Sequence, residues 1–79
     1  MRNNTITKLD MYDYTILQGE ILIQTDGSND PVLVDILSEI DLSNGKIFAD
    51  GQHYLFTGYD IIKDEHNRHY LSLKVVVNH

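Results

Sequence analysis

Seventy-nine residues with 42% apolar content suffice for one hydrophobic core and leave no room for a second, because a chain this short buries only about 60% of its unfolded surface. The absence of cysteine removes disulfides, zinc–thiolate sites and thiol catalysis together, and points to a reducing, cytoplasmic setting. Twelve acidic side chains against six basic ones give a formal charge of −6, which repels phosphate backbones, attracts basic surfaces and keeps a protein in solution, so direct nucleic-acid binding is not expected.

The opening Met1-Arg2-Asn3-Asn4 leads into mixed polar sequence rather than an apolar signal core, and no run approaches the roughly 18 apolar residues of a membrane span. Neither secretion nor membrane insertion is expected. From Thr5 to Gln24 two β-rich runs, Thr5 to Leu17 and Glu20 to Gln24, are broken at Gln18-Gly19, where glycine turns or bulges a strand. The first run reads either as one bent strand or as two. Alternation sets Ile21 and Ile23 on one face and Glu20, Leu22 and Gln24 on the other, and it gives Tyr12 and Tyr14 a common face with Asp13 opposite.

The stretch from Thr25 to Asp30 is rich in turn formers, and Asp30-Pro31 supplies a capping carboxylate followed by proline at the first helical position. A helix is predicted from there. Val32, Leu33, Ile36, Leu37 and Ile40 recur at helical spacing with Asp35, Ser38, Glu39 and Asp41 largely on the other side, and Asn44-Gly45 stops the helix. A competing reading makes Val32, Val34 and Ile36 a strand. Beyond Lys46 the pattern is β throughout: Lys46 to Ala49, a turn at Asp50-Gly51, Gln52 to Thr57, a bend at Gly58, Tyr59 to Lys63, a turn over 64–67, and Arg68 to Val77. These form two successive hairpins. In the last strand Leu71, Leu73, Val75 and Val77 alternate with Tyr70, Ser72, Lys74 and Val76, which places it inside the sheet.

The expectation is a single α+β domain over residues 1–79: a small antiparallel sheet of five or six strands, a hairpin meander in its C-terminal half and one short helix packed on it, in the order ββαββββ. His53-Tyr54-Leu55 and His69-Tyr70-Leu71 form a weak internal echo, which strand starts in a meander explain without duplication.

No catalytic or cofactor motif survives inspection. Asp64-Glu65-His66-Asn67-Arg68-His69 brings two imidazoles and two carboxylates close in sequence, yet His69 on a strand and His66 on a turn have no reason to converge on a metal. Asp26 to Asp30 has calcium-ligand residue types, but Leu37 stands where a calcium loop has its closing glutamate. The glycines are spaced for hairpins rather than for a phosphate cradle, and Ser28, Ser38, Ser43 and Ser72 lack a nucleophile's flanking motif. No cofactor, metal or enzymatic activity is expected.

Five tyrosines, at 12, 14, 54, 59 and 70, all fall on predicted strands, and tyrosine combines apolar area with a hydroxyl suited to wet interfaces. Carboxylates flank several of them. Asp10, Tyr12, Asp13 and Tyr14, together with Tyr59, Asp60, Asp64 and Glu65, give an acidic–aromatic mixture that complements arginine-rich surfaces. They are the expected partner-binding residues. The expected partner is a basic protein surface, that of a nucleic-acid-handling host protein, with neither nucleic acid nor membrane bound directly and with a homodimer allowed. Small acidic inhibitors of phages and mobile elements, such as anti-CRISPR, anti-restriction and DNA-glycosylase-inhibiting proteins, share this size and charge profile, although no motif ties the chain to any of them. The rival expectation is an assembly module that joins itself or a larger complex through a sheet edge or face, and a third is a small metal-binding domain using His66 and His69.

Overall fold

The computed structural model describes residues 6–27 and 29–78. The polar opening at 1–4, the first residue of the expected N-terminal run, and Ser28 of the turn before the helix lie outside the described residues.

Strands β1 (Thr7–Lys8), β2 (Tyr14–Leu17) and β3 (Glu20–Thr25) precede the helix α1 (Pro31–Leu42), and β4 (Lys46–Ala49), β5 (Gln52–Lys63) and β6 (His69–Val77) follow it. They form one six-stranded sheet in the order β1-β4-β5-β6-β3-β2. Every neighbouring pair is antiparallel except β1 with β4, which run parallel with Thr7 opposite Ile47. The α+β architecture matches the pattern of the sequence. The first β-rich run is not one bent strand but two strands at opposite edges. The expected pieces on either side of Gly58 are a single strand, β5, whose pairing with β6 slips by one residue at a bulge between Phe56 and Gly58. Proton donors and acceptors therefore change sides at Thr57.

Local chemistry explains each junction. Asp30 caps α1 by accepting from the Val32 N–H at 2.9 Å, with Pro31 in the first turn where its missing N–H costs nothing. That outcome discards the strand reading of 32–36. The helix stops at Asn44 (φ 58°) and Gly45 (φ 82°), and the Gly45 N–H closes the last turn on the Ile40 carbonyl at 2.8 Å. A side chain at Gly45 is disfavoured by that backbone angle, whereas Phe56 Cβ, 3.6 Å from where a Gly45 Cβ would stand, is at ordinary contact distance. Asp50 and Gly51 both have positive φ, 54° and 75°, the geometry that a two-residue hairpin of matched twist requires.

One face of the sheet carries Ile21 and Ile23 of β3, Leu71, Leu73 and Val75 of β6, and Ile47 and Ala49 of β4, all buried against Leu33, Ile36 and Ile40 of α1. These residues and Leu9 form the core. The spacing of the helical residues puts them on one stripe, and the strand residues alternate by two, so both periodicities meet at the same plane.

The sheet is rolled. Leu9 donates to the Phe48 carbonyl and so extends β1, while the Asp13 carbonyl accepts from Gln24 and extends β2. Laid flat, the two edges of six strands stand about 24 Å apart at ~4.8 Å per strand. The four steps from Leu9 to Asp13 span at most about 14 Å even when extended, and here they are tightened by a turn in which Tyr12 N–H donates to the Leu9 carbonyl at 3.0 Å. The two edges must therefore curl toward each other, with α1 in the concavity. Buried Ser43, at the end of α1, fastens the same seam: its hydroxyl lies 3.1 Å from Thr7 Oγ1 on β1, 3.0 Å from the Ile40 carbonyl and 2.9 Å from the Lys46 carbonyl.

Candidate functional site

The expected binding residues fall into two groups. β2 and β5 lie three strand spacings apart in the sheet order, so the Asp10–Tyr14 segment and the Tyr59–Glu65 segment do not form one patch.

The first group is centred on Tyr12. This residue is not on a strand, as the alternating pattern suggests, but in the turn that bridges the seam, because the Leu9–Tyr12 hydrogen bond breaks the period of two. The turn carries the phenol onto the helix, where its hydroxyl makes a long hydrogen bond of 3.5 Å to Glu39 Oε2. Partial burial, the charges of Glu39 and Asp35, and that hydrogen bond together raise the Tyr12 pKa above its ordinary 10.0. Asp10, Met11 and Asp13 flank it, all exposed, and Met11 retains 88% of its surface. Asp35 and Glu39 stand four residues apart on the exposed side of α1, with Asp41 beyond them and no lysine or arginine anywhere on the helix. Asp35 and Glu39 belong to the site although the sequence names them only as the polar side of a helix. Their spacing shows that they share a face; nothing in the sequence joins that face to Tyr12.

Tyr14 is half-buried, packed against the core from β2. Its row across the sheet runs through Ile23 and Leu71 to Ile61, so its ring contributes volume to the core. Tyr54 does the same from β5. The His-Tyr-Leu echo has no structural counterpart, since Tyr54 faces the core while Tyr70, paired with Gln24, lies on the opposite face.

The second group sits on the β5–β6 hairpin. Tyr59 is 49% exposed and stacks on Phe56 with ring centroids 6.5 Å apart. Asp60 is exposed on the convex face. Asp64 is committed to its own turn: the carboxylate accepts from the N–H groups of Arg68 and His66, each at 2.9 Å, and from Arg68 Nε at 3.0 Å. These donors, Arg68 N–H foremost, hold its carboxyl below the ordinary 3.8. Its lone pairs therefore serve the hairpin first. Glu65 lies 3.6 Å from His66 Nε2, while His69 stands on β6 between Lys63 and Thr25. Among the described residues no group of three or more His, Cys, Asp or Glu side chains is placed to hold a metal ion.

Charge differs between the two surfaces, although the convex face also carries Asp60. The convex face of the sheet presents Lys8, Lys46 and Lys74, with Glu20 held between Ser72 Oγ at 3.1 Å and Lys74 Nζ at 3.6 Å. The helix side presents Asp35, Glu39 and Asp41 without a cation on α1. Asp10, Asp13, Asp35 and Glu39 make the surroundings of Tyr12 acidic. A separate cleft of about 350 Å³ opens between α1 and β5, lined by Leu37, Ile40, Asp41, Asn44, Gly45 and Phe56. Among the described residues no helix is long and apolar enough to cross a membrane.

Compared with protein-family models, with curated proteins and with solved structures, the chain matches none. Function has to be argued from the surface itself.

Proposed function

We propose that this chain is a non-catalytic protein-binding module, a small acidic inhibitor or decoy that sets the Tyr12 surface against a basic, nucleic-acid-binding surface of a partner protein. One observation carries the reading: the Tyr12 phenol is held against Glu39, with Asp35 nearby, at the edge of a helix that has three carboxylates and no cation. Carboxylates steer a basic partner at long range, and a tyrosine with few rotatable bonds supplies desolvated contact at little entropic cost.

The test is capture of basic proteins from a lysate at low and at high salt, by the wild type and by Asp35→Lys/Glu39→Lys. A partner that binds the wild type at low salt and is lost both at high salt and with the variant supports the reading. Capture indifferent to salt and to the variant refutes it. A second reading, a structural module that joins copies of itself through its sheet, is favoured by the outer edge of β5, where among the described residues no strand pairs with 57–63.

A further inference from the structure

β5 is longer than the strand that covers it. β4 pairs with residues 52–55 of β5, and among the described residues no strand lies against the outer side of 57–63. The direction of the backbone groups there follows from two hydrogen bonds. Before the bulge, Phe56 N–H donates outward to the Gly45 carbonyl at 2.8 Å; beyond it, Asp64 N–H donates to the Arg68 carbonyl at 2.9 Å across the hairpin. Alternation from Asp64 turns 62, 60 and 58 toward β6, leaving the N–H and C=O groups of Tyr59, Ile61 and Lys63 pointing away from the sheet. Three of the five side chains from 59 to 63 are large, apolar-bodied and exposed, Tyr59 49%, Ile61 45% and Ile62 40%, and Asp60 and Lys63 are the exposed charged ones.

We propose that this edge pairs antiparallel with the same edge of a second copy about a two-fold axis through Ile61, so that two sheets become one. The proposal rests on the assembly reading and not on the Tyr12 surface. Symmetry permits only registers in which one residue faces itself. Centring on Asp60 opposes two carboxylates, which is destabilising, and matches fewer outward backbone groups. Centring on Ile61 pairs all three outward residues, giving about six backbone hydrogen bonds, and sets Ile61 on Ile61 of the second copy. Tyr59 then faces Lys63 of the second copy, within reach of a cation–π contact, and Asp60 faces Ile62. A lysine on an edge ordinarily discourages pairing; in this register it meets an aromatic ring instead of another cation.

The experiment uses the full chain. The sequence has no cysteine, so single cysteines report register cleanly. Directly opposed residues in such a pair stand about 5.5 Å apart at Cα, within disulfide range, whereas residue 59 of one copy lies four residues, about 14 Å, from residue 59 of the other. Under mild oxidation Ile61→Cys is expected to give a disulfide-linked dimer and Tyr59→Cys to remain monomeric. Light scattering after size exclusion should show a dimer for the wild type that persists in high salt, and a monomer for Ile61→Lys with a wild-type circular dichroism spectrum. A wild type that stays monomeric at all concentrations overturns both the proposal and the assembly reading. A dimer that survives Ile61→Lys, or in which Tyr59→Cys crosslinks as well as Ile61→Cys, overturns this interface and leaves assembly through another surface.

Discussion

Ser43→Ala strikes the point where the end of α1 is tied to the first strand. The Ser43 hydroxyl has one proton for the Ile40 and Lys46 carbonyls, at 3.0 and 2.9 Å, so its 3.1 Å contact with Thr7 is one in which Thr7 donates. Thr7 and Ser43 are each 1% exposed, so no water replaces a lost partner. Stripping a buried hydroxyl of its acceptor costs ~1–3 kcal/mol, and the lost donor bond costs about 1 more. A destabilisation of about 2–4 kcal/mol is expected, against a total of ~4–12 kcal/mol for a domain of this length. In thermal unfolding followed by circular dichroism that corresponds to a fall of roughly 10–20 °C. The sharper measurement is the double-mutant cycle with Thr7→Val in urea. Once Thr7 has no hydroxyl to orphan, Ser43→Ala should cost about 1–2 kcal/mol less than it does in the wild type. A coupling below about 0.5 kcal/mol refutes the claim that this pair fastens the seam.

Other perturbations test other parts of the structure. Thr25 is buried and its hydroxyl has no partner among the described residues, so Thr25→Val, equal in shape, should stabilise by about 1 kcal/mol, read as a rise in the urea midpoint; a fall contradicts the orphaned hydroxyl. Asp30 and Asp64 both have carboxyls below the ordinary 3.8, Asp30 chiefly through the Asp26 N–H and then the Val32 N–H. The folded chain then binds fewer protons than the unfolded one, so this stability is present above about pH 4 and is lost as pH falls through the folded values. Asp30→Asn/Asp64→Asn should flatten the acid limb of stability against pH, and an unchanged limb rules out both carboxylates as its source. Tyr12, raised above 10.0, has the opposite sign: the folded chain holds its proton longer, and stability is lost as pH rises beyond 10. The ultraviolet difference between wild type and Tyr12→Phe should show the lost phenol ionising above 10, and Glu39→Gln should move that ionisation earlier.

The helix and the C-terminal meander were legible because their signals are local. Asp30-Pro31 and Asn44-Gly45 bracket α1, Asp50-Gly51 sets a hairpin by its backbone angles, and the alternation from Leu71 onward places β6 inside the sheet. The N-terminal third resisted reading for the converse reason. Nothing local distinguishes a bent strand from two strands at opposite edges, since the outcome depends on Thr7 finding Ile47 and on Leu9 filling the core. The same fact displaced Tyr12 from a strand to the bridging turn and gave it helix carboxylates as neighbours. Asp64 shows the same on a smaller scale: acidity and proximity to Tyr59 single it out in the sequence, and only the folded turn shows that both of its oxygens accept hydrogen bonds from His66 and Arg68. Composition shows where carboxylates are, but only geometry shows which are free.

The rolled sheet also sets an order on how the chain comes together. The β2–β3, β4–β5 and β5–β6 hairpins each close loops of a few residues, whereas pairing Thr7 with Ile47 joins chain ends separated by the whole of β2, β3 and α1. Long loops close at greater entropic cost and are rewarded only once the strands between them exist. Joining the seam, like the pairing of β3 with β6 over a still longer span, is thus later than hairpin closure, and substitutions at Thr7 or Leu9 should act mainly by hastening unfolding, while those in the β5–β6 hairpin should slow folding itself.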